Sequence, residues 1–151
     1  MRNIVLMLML SALMATACTP RSAESGSPAG EATAAAMCEK LPMEADGIVR
    51  LSKITVYPEY LDQYMEFAVR VGEISLRTEP GVLTMYAVAE KDDPCRITIL
   101  ETYASQAAYS SHVASAHFQE YKQGTLHMVD TLVLSDQTPL NPASHIDNYI
   151  E

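Results

Sequence analysis

Positive charge is scarce in this chain: 10 Lys and Arg stand against 19 Asp and Glu, a net charge of −9 over 151 residues. No basic stripe overrides that balance, which argues against a phosphate backbone, and so nucleic acid, as a partner. The 6 glycines form neither a phosphate-cradling loop nor a nucleophile elbow. The 3 cysteines include no CxxC pair, which argues against a dithiol redox motif or a thiolate metal cage. No apolar run reaches the ~20 residues that a membrane-crossing helix needs. Tryptophan is absent altogether.

What is present begins with an address. Met1-Arg2-Asn3 is a positive n-region, Ile4 to Met14 an apolar h-region too short to span a bilayer, and Ala15-Thr16-Ala17 supplies small residues before Cys18. Residues 1–17 therefore read as a signal peptide, and the expected location is exported, in the periplasm or cell envelope. The small-small-Cys ending resembles a bacterial lipobox, with Ala15 where leucine is usual. Cys18 is then either the lipidated mature N-terminus, which makes a lipid anchor the only membrane contact, or a free thiol left by cleavage after Ala17. Residues 18–46, rich in Ser, Ala, Gly, Pro and Glu, read as a flexible tether with a reach of roughly 30 Å. With Cys18 set aside, Cys38 and Cys95 are either bridged in an oxidising compartment or free.

From Gly47 the pattern becomes that of a folded domain, expected over 47–135. Ile48–Tyr57 is apolar on both faces, as a strand covered on both sides requires. Pro58 starts a helix with Glu59 and Asp62 in its first turn, and Tyr60, Tyr64, Phe67, Val71 and Ile74 form one apolar stripe to about Arg77. Glu79-Pro80-Gly81 ends it. Val82–Glu90 and Arg96–Tyr103 read as strands joined by the polar hairpin Lys91–Pro94. On the latter strand Ile97, Ile99, Glu101 and Tyr103 share a face, which sets a carboxylate among apolar groups. Ser105 caps a helix to about Ser115 that carries His112. His117 or Phe118 opens another, with Phe118, Tyr121, Thr125 and Met128 on one side and Gly124 on the other. Asp130–Leu134 is the last strand. Residues 136–151 are an extended arm, lying across a partner subunit or disordered.

The order β, α, β, β, α, helical segment, β is the ferredoxin-like split βαβ plan of the α+β class, an antiparallel sheet with helices on one face. EPGVLTMY, DDPCRITILETY and AAYSSHVASAHFQEY, in that order, resemble the antibiotic biosynthesis monooxygenase domain, including its quinol monooxygenase branch, over roughly residues 48–135. The resemblance implies a dimeric α+β barrel, hence a homodimer. It also implies oxidation of a quinol-like or polyphenolic small molecule by O₂ without metal or flavin. The haem-degrading branch, which relies on an Asn, a Trp and a His, does not fit a chain without tryptophan.

Such chemistry needs a base and groups that hold phenolic oxygens. His112, Glu101 and Tyr103 are the catalytic candidates. Phe118, Tyr121, His117 and Tyr86 are candidates for binding substrate. Against these stand plain structural readings: His112 as a satisfied core histidine, His117 as a helix-start residue, and Glu101 in an ion pair with Arg50 or Arg96. No metal site is expected, because His112 and His117 are five residues apart across a helix break, where two ligands on one helical face need three or four. A binding module without turnover, or an isomerase on the same scaffold, are the alternatives to the monooxygenase.

Overall fold

The computed structural model describes residues 36–150. Four strands, β1 (Ile48–Val56), β2 (Val82–Ala89), β3 (Arg96–Tyr103) and β4 (Val129–Asp136), form one sheet in the order β2-β3-β1-β4. All three pairings are antiparallel. A 3₁₀ turn over Pro58–Tyr60 leads into α1 (Leu61–Thr78), and α2 (Gln106–Ala114) and α3 (Ala116–Thr125) follow β3. This is the ferredoxin-like α+β plan expected from the sequence.

Local chemistry explains the boundaries. Pro58 fixes the turn before α1 at a position where a missing N–H costs nothing. Ser105 Oγ accepts the Ala108 N–H and caps α2. Ser115 ends α2 and also caps α3, its Oγ accepting the Phe118 N–H at 3.3 Å, with an extended backbone (φ −66°, ψ 150°). That single extended residue turns the chain between the two helices, so α3 starts at Ala116, ahead of the expected His117 or Phe118.

Register sorts the strands into two faces. Ile48, Arg50, Ser52 and Ile54 of β1 stand opposite Tyr103, Glu101, Ile99 and Ile97 of β3, and these are the residues turned toward the helices. Ile54, Val56, Tyr64, Ile97 and Met128 form one buried cluster, and Ile48, Leu76, Val82 and Tyr103 form a second. Between the two, the same face carries Arg50, Ser52 and Glu101. The inner face of the sheet is thus apolar at both ends and polar in the middle.

Gly124 lies at the contact of α1 and α3, where a Cβ would stand 2.7 Å from the Phe67 ring. The helix-wheel expectation that it faces away from the packed side is corrected.

Both chain ends depart from expectation. Residues 36–46, expected as the end of a loose tether, are fastened to the domain. Cys38 N–H donates to Arg77 O, Leu41 N–H to Pro80 O and Glu44 N–H to Ala104 O. Lys40 Nζ donates to Leu76 O at 2.6 Å and Glu79 O at 3.0 Å, placing a cation on the negative end of α1. The C-terminal segment folds back on its own subunit: Asn148 Oδ1 accepts the Met85 N–H, and the Ile150 N–H lies 3.3 Å from Met37 Sδ.

Cys38 and Cys95 are free thiols, so the bridge considered from sequence is not formed. Cys38 binds beside the C-terminal end of α1, whereas the Cys95 carbonyl accepts the Val56 N–H at the far end of β1. The length of β1, about 3.3 Å per residue, lies between these places, far beyond the ~7 Å Cα separation that a disulfide tolerates. The expected signal peptide and Cys18 lie outside the described residues. No helix among the described residues is long and apolar enough to cross a membrane.

Candidate active site

The polar centre of the inner face is built around Glu101. One carboxylate oxygen accepts from Ser52 Oγ at 2.5 Å and the other from Tyr103 Oη at 2.7 Å. Arg50, directly opposite on β1, instead binds Asp136 at 2.7 Å and lies 4.6 Å from the centroid of the Tyr109 ring, while Arg96 pairs with Glu90. The ion pairs that would have made Glu101 structural are therefore both committed elsewhere. Burial holds the Tyr103 phenol well above its ordinary range, and the neighbouring Glu101 charge pushes in the same direction.

Two further phenols approach this carboxylate. Tyr64 of α1 and Tyr121 of α3 share a 2.6 Å hydrogen bond. Both are raised above the ordinary tyrosine range, mainly by burial, and the Glu101 charge acts on both. Tyr64, read from its helical stripe as packing alone, is also part of this hydroxyl cluster.

A second cluster adjoins the first. Glu79 Oε1 lies 2.9 Å from His112 Nδ1 and 2.7 Å from His117 Nε2. Burial opposes ionisation of Glu79, but hydrogen bonds from His112, His117 and Ser75 outweigh it and hold the carboxyl below its ordinary range. His112 is sealed, with 1% of its side chain exposed against 18% for His117. Its ring centroid stands 4.7 Å from that of Phe118 and 5.4 Å from that of Tyr103. Through these rings the histidine cluster touches the Glu101 cluster.

Glu79 is the residue that sequence reasoning missed. It served there only as part of a turn. A carboxylate at the C-terminal end of a helix, where the dipole disfavours negative charge, was a signal that it has another partner. Gly81 is what lets that turn approach: a Cβ there would stand 2.5 Å from the Ala108 Cβ of α2. The helix break between the histidines, expected from the sequence and counted there against a shared site, is at Ser115 and brings the two rings from two helices onto one carboxylate.

Of the residues expected to bind substrate, Phe118, Tyr121 and His117 join the inner face. Tyr86 does not: it stands opposite Leu100, on the face turned away from the helices, and is 59% exposed. Its expected place in the same site is corrected by the parity of β2. His117 and Tyr121 border a narrow cleft between α1 and α3, of about 10 Å³. Arg70 and Ile74 line both this cleft and an open trough of about 470 Å³ along α1.

An α+β sheet protein with a hydroxyl-bound carboxylate and a glutamate-held histidine pair is the class that fold and site define. The family model for antibiotic biosynthesis monooxygenases matches residues 47–124, and the chain belongs to that family. A Bacteroides thetaiotaomicron structure described as a "putative antibiotic biosynthesis monooxygenase" is 51% identical, with a TM-score of 0.66 over 68% of this chain and 97% of that one. A Lactobacillus acidophilus monooxygenase structure, described with the same reservation, is 25% identical with a TM-score of 0.59, over 63% of this chain and 45% of that one. A Nitrosomonas europaea structure at 20% identity and TM-score 0.60, over 69% of this chain and all (100%) of that one, shares the fold. Among curated proteins no match is found.

Proposed function

We propose that this chain is an exported, homodimeric monooxygenase that oxidises a quinol-like or polyphenolic small molecule with O₂, without a cofactor. The observation that carries the reading is the polar centre of the inner face: Glu101 held by two hydroxyl groups and bordered by phenols, with His112 oriented beside it by Glu79. Family membership supplies the reaction class.

In the tautomer with its proton on Nδ1, His112 donates to Glu79, and its Nε2 keeps a lone pair to take a proton from a substrate hydroxyl. The resulting anion is electron-rich enough to reduce O₂. One oxygen atom enters the ring and the other leaves as water, so that a hydroquinone and O₂ give a hydroxyquinone and water. Glu101 and Tyr103 hold the substrate oxygens, and Phe118 and Tyr121 wall the ring. Substrate enters from the cleft at His117 and Tyr121, which has to open, since at about 10 Å³ it admits little more than one water.

The test is oxygen uptake with a panel of hydroquinones, in chelator and without flavin, and transfer of label from ¹⁸O₂. Uptake of one O₂ per substrate with one labelled atom in the product supports the reading, as does its loss in His112→Asn. Saturable binding of the same compounds without uptake points instead to a binding module, and turnover without O₂ to an isomerase. For the export route, lipid-precursor labelling that disappears in Cys18→Ser is the expected result, and a labelled variant overturns the anchor.

A further inference from the structure

We propose that Glu79, His112 and His117 form a binding site for one divalent first-row transition-metal ion of the zinc, cobalt or iron type. The oxidation described above uses the metal-free state, because an ion on His112 Nδ1 puts the ring proton on Nε2 and removes the base; the site is argued from its own geometry.

Three donors from three places in the chain converge here: the residue that ends α1, the last turn of α2 and the first turn of α3. Their ligand atoms all lie within 4.8 Å of one another. The two oxygen–nitrogen separations, 2.9 and 2.7 Å, are hydrogen-bond lengths, and the donors spread to about 3.0 Å around an octahedral ion or about 3.4 Å around a tetrahedral one with bonds of about 2.1 Å. An ion with such bonds holds the two nitrogens, which lie within 4.8 Å of each other, at no more than about 4.2 Å. His117, the more exposed of the pair, is the side chain free to make that adjustment.

The imidazole rings approach the carboxylate from different directions, with planes inclined at 59°. Each presents one nitrogen to the same oxygen. When the two imidazoles carry their protons on the opposite nitrogens, two lone pairs and a carboxylate face one point. One supporting contact is in place: Ser75 hydrogen-bonds Glu79. Ser115 Oγ lies 3.2 Å from His117 Nε2, the nitrogen an ion would take, and gives up that contact when the ion binds. The Lys40 ammonium binds the Glu79 main-chain carbonyl, not its carboxylate.

The donor set decides the class of ion. Two nitrogens and one carboxylate suit zinc, iron or cobalt, whereas calcium and magnesium prefer all-oxygen cages, and no thiol is among the donors. Three protein ligands leave coordination positions open, the arrangement of sites that bind water, oxygen or a substrate oxygen rather than purely structural ions.

The experiment is titration of the purified, metal-free full chain with Co²⁺ alone, followed by its visible absorption, with Zn²⁺ as competitor. One equivalent bound at micromolar concentration, displaced by Zn²⁺, is expected. Affinity falls at least tenfold in both Glu79→Gln and His117→Ala. It is unchanged in His127→Ala, which removes an exposed imidazole outside the cluster. A rise in melting temperature with Zn²⁺ in the wild type but not in Glu79→Gln is a readout independent of colour. Wild-type protein that shows no saturable binding below millimolar Co²⁺ overturns the site and leaves a purely hydrogen-bonded carboxylate. Binding that is equal in folded Glu79→Gln and His117→Ala does so too.

Discussion

Glu101 occupies a position where a leucine or valine would pack at no electrostatic cost, between two apolar clusters on the inner face of the sheet. Keeping a carboxylate there requires donors, and Ser52 and Tyr103 provide them, each hydrogen bond to a charged acceptor worth roughly 1.5–3 kcal/mol. Glu101→Gln preserves size and most hydrogen bonding but removes the charge. We expect it to stay folded by circular dichroism while oxygen uptake falls by roughly 10²–10³-fold, the usual range for losing one preorganised group that holds the reacting oxygens. The buried phenols around it set the response to alkali. Folding raises Tyr64, Tyr103 and Tyr121 above their unfolded values, so their contribution is complete below about pH 10 and is lost as pH rises past it. Together they remove up to about 4 kcal/mol per pH unit in that range, at 1.36 kcal/mol each. Absorbance at 295 nm should show these phenols ionising together with unfolding, and free titration of all eight tyrosines in still-folded protein would contradict the prediction.

At the scale of elements, the Glu79-Pro80-Gly81 turn joins fold to site. Gly81→Ala puts a methyl group 2.5 Å from the Ala108 Cβ, and the resulting overpacking is expected to cost about 1–3 kcal/mol. Chemical denaturation measures that cost, and the imidazole NMR signals should show His112 released from Glu79. How much of this was legible beforehand differs from element to element. The bounds of β3 and the Ser105 cap follow from strand alternation and cap chemistry, which act within a few residues. The inner-face row of Ile97, Ile99, Glu101 and Tyr103 follows from the period of two. The meeting of Glu79 with His112 and His117 depends on how a turn is seated against a helix, which no local period encodes. Tyr86 went astray for a related reason: β2 shifts register between Val82 and Thr84, and a face cannot be counted through such a shift without knowing that it is there. The docking of residues 36–46 was hidden because hydrogen bonds to main-chain carbonyls carry it, and these leave little trace in composition.

For the whole molecule, the face of the sheet turned away from the helices carries exposed Tyr86, Val88 and Val133. An apolar sheet face of this kind is where the homodimer proposed above would form. The melting temperature should then rise with protein concentration, and Val88→Asp should shift sedimentation toward the mass of a single chain. A melting temperature independent of concentration, with wild type and variant sedimenting alike, would sink that arrangement. The contact between Ile150 and Met37 has a different consequence. It brings the two ends of the described chain together, so the folded unit closes on itself like a ring with one cut. The order in which its strands are synthesised then becomes a matter of where the cut lies. A circular permutant with the old ends joined by a short linker, and new ends in the exposed hairpin between Lys91 and Pro94, should fold to the same sheet.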